Sequence, residues 1–299
     1  MKNLDQQIQN FLIYLGNKGC SPSTQRTYRF RLIYFSSWLR GKPISIETIN
    51  YFRFHLSSKG ISKSTQNYYL VALRSFFNFI DKEGLPIISR DKIELSKVPE
   101  REISYLTSTQ VKQILNEIRI VKINKKKTFT RIRDKTILEL LFSTGLRVSE
   151  LCSLDQEEID LKRGEFAIVG KGGKARLIFL SDEAKYWLRK YLRLRRDGYS
   201  PLFIYSTQGK LRGRRMELQA IESMVRKYAL KAKIPMRVTP HMFRHAYACD
   251  LLRNGANLRL VQELLGHKNI ATTQIYTHIT NLELKEGYRK YHSGNFNTQ

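Results

Sequence analysis

The sequence predicts a mainly α-helical protein with one small antiparallel β-sheet, arranged as two domains. Three observations lead there. Apolar residues recur at three- and four-residue spacing along most of the 299 residues, the period of a helix with one buried face. A single stretch, EFAIVGKGGKARLIFL at 165–180, leaves that period for two β-rich runs on either side of Lys-Gly-Gly, where glycine supplies the positive φ of a hairpin. Between 95 and 105 the chain reads LSKVPEREISY, with a proline, mixed charges and no period, as an extended linker does. The expected organisation is an all-helical domain over 1–97, a linker over 98–105 and an α+β domain over 106–299.

In the first domain, 4–16 and 46–58 read as helices, and two more come from a weak internal duplication. SPSTQRTYRFRLIYFSSWL at 21–39 aligns with SKSTQNYYLVALRSFFNFI at 62–80. The alignment matches Ser23 with Ser64, Thr24 with Thr65, Gln25 with Gln66, Tyr28 with Tyr69, Leu32 with Leu73 and Phe35 with Phe76. In each copy Ser-Thr opens a helix. One copy alone cannot bury its apolar stripe, so the two are expected to pack together with the other two helices. Most of the aromatic stripe reads as core. Arg26, Arg29, Arg31, Lys63 and Arg74 are candidates to face phosphate, with a solvated face as the plainer reading.

In the second domain, LTSTQVKQILNEI at 106–118 is a capped amphipathic helix, and RDKTILELLFSTG at 133–145 is apolar enough to be a core helix. VKINKKKTFTRIRDK, 121–135, reads as a long basic loop that either contacts phosphate or is solvated. After the hairpin, helical patterns return at 182–195, 215–232, 241–253 and 257–265.

The charge balance narrows the partner. There are 53 Lys and Arg against 26 Asp and Glu, a formal +27, and the excess is spread over both domains, with 15 basic and 7 acidic side chains in residues 1–100. A long polyanion, nucleic acid, explains this best. An anionic membrane fits less well: there is no long apolar span, no basic amphipathic terminal helix and no signal-peptide start. Cys20, Cys152 and Cys249 are odd in number and far apart, which points to neither a disulfide framework nor a zinc site and fits a cytoplasmic protein.

The chemistry gathers at turns and helix starts. In TPHMFRHAYACDLLRNG, 239–255, Thr239 suits an N-cap and Pro240 the first helical position, so His241 and Arg244 share a helix end that favours an anion. Arg147 follows a turn at Gly145 and starts another helix. Lys171 lies at the hairpin tip, His267 follows the C-cap glycine Gly266, and Tyr276 sits about two turns into a helix that Asn269 can cap. Singly, each has a bland structural reading. Together they specify phosphodiester chemistry. Arginine's planar fork suits nonbridging oxygens, a tyrosine hydroxyl can attack phosphorus with help, and a lysine can give a proton to a departing alkoxide.

TGLRVSEL, GKGGKARLIFL, PHMFRHAYACDLL and LLGHKNIATTQIYTH, in this order, resemble the signature of the tyrosine recombinases, especially the Xer and simple-integrase branch. The resemblance runs from about Gln6 to Tyr291. It implies that the N-terminal part is a helical core-binding domain, which grips DNA, and the C-terminal part a catalytic domain. It implies that Arg147 and Arg244 clamp the scissile phosphate and that Glu150 supports them without reacting. Lys171 would be the general acid for the 5′-oxygen, with Lys174 a rival or a further DNA contact. His241 would help hold the nucleophile's proton and His267 would hydrogen-bond the phosphate. Tyr276 would attack, giving a 3′-phosphotyrosyl link. His245 is read as structural. Departures from the family pattern, at Met242-Phe243, Ala246-Tyr247 and the LIFL ending, touch no reacting group.

The resemblance therefore implies a site-specific DNA recombinase working through a Holliday junction without metal, ATP or cofactor. Its partners would be a double-stranded recombination site and three further protomers, in a homo-tetramer or a hetero-tetramer with a related recombinase, with a DNA translocase or accessory factor as a candidate activator. Xer-type resolution of chromosome or plasmid dimers is favoured over mobile-element integration because the chain begins directly in the core-binding domain. A type IB-like topoisomerase is disfavoured by that domain and by the tail. In the tail, Leu282, Leu284, Tyr288 and Tyr291 recur at helix-like spacing and would suit a neighbour's groove.

Overall fold

The computed structural model describes residues 4–85, 87–98, 105–120, 125–170, 175–195 and 197–266, and the chain separates into two units, 1–102 and 103–299. In the first unit, α1 (Leu4–Asn17), α2 (Pro22–Leu39), α3 (Ile46–Ser58) and α4 (Lys63–Lys82) enclose an aromatic core. Phe11, Phe35, Phe52 and Phe76 are fully buried, and each contributes about 1.5–3 kcal/mol relative to an exposed ring. The internal duplication is repeated in the hydrogen bonds. Ser21 Oγ accepts from the Thr24 N–H and Ser62 Oγ from the Thr65 N–H, so the caps lie two residues ahead of the Ser-Thr pairs. Gln25 and Gln66 each reach back five residues, to the carbonyls of Cys20 and Ile61.

The chain beyond α4 stays with this unit through Ser96. Ile93 is buried, Arg74 Nε donates to its carbonyl at 2.6 Å, and the Asn67 amide exchanges two hydrogen bonds with the Ser96 backbone. The expected extended segment from 95 is thus pinned at its start by α4.

The second unit contains α5 (Ser108–Asn116), α6 (Lys125–Thr144), α7 (Val148–Ser153), β1 (Glu165–Val169), β2 (Ala175–Phe179), α8 (Asp182–Leu194), α9 (Leu218–Lys231), α10 (Pro240–Arg253) and α11 (Leu258–Leu265). Two elements differ from the sequence reading. Residues 125–132, expected as part of a basic loop, are the first turns of α6, because Phe129 and Ile132 bury one face while lysine and arginine are good helix formers. Helix α9 begins at Leu218, not 215, because the Met216 N–H pairs with the Phe203 carbonyl and Arg215 bridges Ile204.

Helix α6 is the hub of this unit. Residues 132–141 are all buried, charged ones included. Arg133 grips Asp134 and donates to the carbonyls of Ile204 and Tyr205, Asp134 accepts from the Tyr228 hydroxyl, and Lys135 meets Glu139 and the Leu115 carbonyl. Strands β1 and β2 pair antiparallel from Glu165↔Phe179 to Val169↔Ala175. Phe166, Ile168 and Ile178 face inward, whereas Val169, Leu177 and Phe179 are exposed. Among the described residues, no helix is long and apolar enough to cross a membrane.

Candidate active site

The site starts at a turn that only glycine makes comfortably. Thr144 Oγ1 donates to the Leu140 carbonyl and accepts from the Leu146 N–H, closing α6. Gly145 then takes φ +59°, and a Cβ there would lie 2.5 Å from the Tyr247 ring. The turn delivers Arg147 to the N-cap position of α7.

Helix α7 has six residues, too few to hold together alone, and side chains pin both ends. At the N-terminus, Glu150 Oε2 accepts from the Arg147 N–H at 2.8 Å. At the C-terminus, Arg215 NH1 donates to the carbonyls of Cys152, Ser153 and Leu154, while its NH2 meets Asp155.

The Glu150 carboxylate is gripped by two guanidiniums. Arg147 NH1 donates to Oε1 at 2.8 Å, and Arg176 donates to Oε1 at 3.0 Å and Oε2 at 2.7 Å. Burial alone would raise the carboxyl's pKa, but the Arg176 fork and the Arg147 N–H outweigh it and bring it to about 2. Of the two arginines, Arg176 is buried, while Arg147 keeps 36 % of its side chain exposed.

Arg244, in the first turn of α10, is 1 % exposed. Its NH1 donates to the Gly145 carbonyl at 2.6 Å and its NH2 to the Leu265 carbonyl at 2.5 Å. It therefore ties the turn before Arg147 to the end of α11. His241 is exposed on the same turn and meets His245 edge to face at 4.6 Å. Packing around the ring and then the charges of Arg244 and Arg147 hold its pKa below the usual imidazole value. Because the residue is exposed, the two guanidiniums are the firmer cause. Thr239 occupies the N-cap of α10 as expected, yet its hydroxyl makes no capping bond.

Arg147, Glu150, His241 and Arg244 are thus brought together, with a net positive charge suited to a phosphate. Lys171, Lys174, His267 and Tyr276 lie outside the described residues, as do the tail positions Leu282, Leu284, Tyr288 and Tyr291. Lys171 and His267 directly follow the described Gly170 and Gly266. In the first unit, Arg26, Arg29 and Lys63 are exposed, Arg31 stacks over Tyr68, and Arg74 is half-buried with its Nε on the Ile93 carbonyl. Among the described residues, no group of three or more His, Cys, Asp or Glu could hold a metal ion.

Sequence reasoning assigned nothing to Arg176 and Arg215. Arg176 carried a usable signal: strand alternation puts it on the same face as the buried Ile178. Arg215 carried none, since its acceptors lie about sixty residues earlier in the chain.

Residues 104–283 match the Phage integrase family, and residues 8–84 match its N-terminal SAM-like domain. The chain is 35 % identical to tyrosine recombinase XerD of Haemophilus influenzae, an alignment covering 98 % of this chain and 99 % of that one. It is 37 % identical to tyrosine recombinase XerC of Thermodesulfovibrio yellowstonii, covering 98 % of each. Among solved structures, XerA recombinase is 30 % identical with a TM-score of 0.55 over 97 % of this chain and 99 % of that one. XerH recombinase, bound to a palindromic difH substrate in a post-cleavage complex, shares the fold with a TM-score of 0.73 at 22 % identity, over 96 % of each chain.

Proposed function

Because this chain belongs to the phage integrase family, the tyrosine recombinases, we propose that it is a site-specific DNA recombinase of the Xer type. The observation that carries the reading is the braced cluster: Arg147, half-exposed and oriented by Glu150, with Arg244 and His241 beside it. Such a cluster offers fixed positive charge where a pentavalent phosphorane would develop negative charge. The near full-length similarity to tyrosine recombinases XerD and XerC supports the Xer reading over integration of a mobile element.

In this mechanism the Tyr276 hydroxyl attacks the scissile phosphorus. The tyrosyl O–P bond forms, the P–O5′ bond breaks, and the 5′-oxygen leaves with a proton supplied by Lys171. His241, its pKa held below the usual imidazole value by packing around the ring and by the Arg244 and Arg147 charges, receives or holds the tyrosine proton. His267 donates to a nonbridging oxygen, and Arg147 and Arg244 supply charge. The 3′-phosphotyrosyl bond conserves the energy of the diester, so attack by the 5′-hydroxyl of another strand reverses the step without ATP. Four protomers on two duplexes would exchange strands through a Holliday junction, the tail after Tyr276 linking neighbours.

The test is adduct formation on a nicked duplex chosen from a random pool by binding to the wild-type protein. Wild type is expected to become covalently attached in excess EDTA, and Tyr276→Phe to bind equally well without attachment. An adduct that persists in Tyr276→Phe, or strict dependence on a divalent metal, would sink the mechanism. For Lys171→Ala, a 5′-bridging phosphorothioate should restore cleavage, because a thiolate leaves without a proton. Restoration of Lys174→Ala instead would move the acid along the hairpin.

A further inference from the structure

We propose that Arg176 is a positioning residue for DNA cleavage: by fixing the Glu150 carboxylate in a bidentate grip, it keeps that carboxylate from capturing the Arg147 guanidinium. The inference rests on the recombinase reading above. It begins with an asymmetry. The Arg176 guanidinium takes both carboxylate oxygens, with NH1 on Oε1 and NH2 on Oε2, while the Arg147 guanidinium takes Oε1 alone through NH1, its backbone N–H meeting Oε2. The bidentate partner is buried and the single-bond partner is half-exposed. A carboxylate prefers the fork geometry, so whichever arginine holds it bidentate sets the plane of the group. Here that arginine shares the inward face of β2 with Ile178, and the Arg147 side chain gives Glu150 one N–H and keeps 36 % of its surface exposed.

Arg176 is itself fixed from a third side. It lies against Gly266, the left-handed C-cap of α11, where a Cβ would come within 3.0 Å of its Cδ and 3.1 Å of its NH1. Its Nε is buried without an acceptor among the described residues, which marks a side chain held by packing and by its fork. One residue thus links strand β2, the helix that Arg147 caps, and the end of α11 at Gly266. Without it, Glu150 can rotate into a fork with Arg147 and draw that guanidinium back from the surface. Binding of DNA, spread over many phosphates, would barely change. The cleavage step would slow.

The experiment has two arms. In the first, Arg176→Gln, Arg176→Lys, Glu150→Gln and the double variant Arg176→Gln/Glu150→Gln are compared with wild type on the nicked duplex selected above, measuring Kd and the single-turnover rate of adduct formation. The expected loss for Arg176→Gln is on the order of a hundredfold in rate with Kd unchanged, the size of an ångström-scale misplacement. Lysine, which cannot form the fork, should restore little. The double variant should be no slower than the slower single one, because both act through one carboxylate. Unchanged rates in Arg176→Gln and Arg176→Lys, multiplying losses in the double variant, or a parallel loss of Kd would each overturn the proposal. Failure of wild type itself to form an adduct would instead strike at the recombinase reading. The second arm needs no DNA: amide hydrogen exchange should quicken over 148–153 in Arg176→Gln while that of α9 stays as in wild type. Unaltered exchange over 148–153 would overturn the coupling whatever the first arm gives.

Discussion

Replacing Glu150 by glutamine tests the electrostatics of the site through its pH dependence. In the folded chain this carboxyl has a pKa of about 2 against an ordinary 4.5, because two guanidiniums and a backbone N–H favour its charged form more than burial opposes it. A native pKa below the unfolded one means that the unfolded chain binds the proton first. The stabilisation is therefore complete above about pH 5 and is lost as pH falls towards 2. The full effect is about 3 kcal/mol, at about 1.4 kcal/mol per tenfold change in proton affinity. By about pH 3.5, roughly 1.4 kcal/mol of it is gone. Glutamine does not titrate, so the stability gap between wild type and Glu150→Gln should narrow by that amount between pH 7 and about pH 3.5. The assay is urea unfolding followed by tryptophan fluorescence in a Trp38→Phe background, which leaves Trp187, on α8, as the reporter of the second unit. A gap that stays constant over this range would refute the ionised, doubly gripped carboxylate.

Further expectations follow from the same geometry. The His241 ring, followed by proton NMR, should titrate below 6.5, and Arg147→Gln should move its midpoint upward; a midpoint at or above 6.5 in wild type would contradict the influence of the neighbouring cations. Gly145→Ala forces a side chain into left-handed backbone at about 1–2 kcal/mol, and the added methyl collides with Tyr247. Tyr247→Ala should recover part of the loss in urea midpoints, and no recovery would discount the ring contact. In DNA binding, Arg26→Ala and Arg29→Ala should each reduce the slope of log K against log salt by about one, whereas Arg74→Ala should lower the stability of the first unit, since its Nε holds the Ile93 carbonyl. Arg215→Lys should cost about 1–3 kcal/mol in the second unit, because one ammonium cannot serve three carbonyls and Asp155 together; an unchanged urea midpoint would show those bonds to be dispensable.

What the sequence made legible is what is local. Helices in the first unit could be read because the periodicity and the Ser caps act within one turn, and the two copies of the repeat reinforce each other. The start of α6 is not legible because Lys125, Lys126 and Lys127 look like a solvated loop until Phe129 and Ile132 find a core elsewhere in the chain. The same division holds at the site. Arg147, His241 and Arg244 sit in short motifs beside glycine and proline, where a backbone turn announces them. Arg176 and Arg215 matter only through acceptors 26 and about sixty residues away, and no window of sequence contains both partners.

Net charge is the broadest clue and the least able to tell one arginine from another. A formal +27 points to a polyanion, yet Arg133, Arg195, Arg215 and Arg244 all spend guanidinium N–H groups on backbone carbonyls of their own chain. The reason is geometric. A planar fork can satisfy several carbonyls at once while keeping its charge, so it is the cation that a folded interior accepts at the ends of short helices and in irregular loops. Arg195 closes the loop from Asp197 to Leu202 in this way, and Arg244 fastens the turn before Arg147 to the end of α11. The exposed cations that give the chain its field and the buried frame that fastens its turns are therefore built from the same residue type. The difference lies in which carbonyls are within reach, and only the fold decides that.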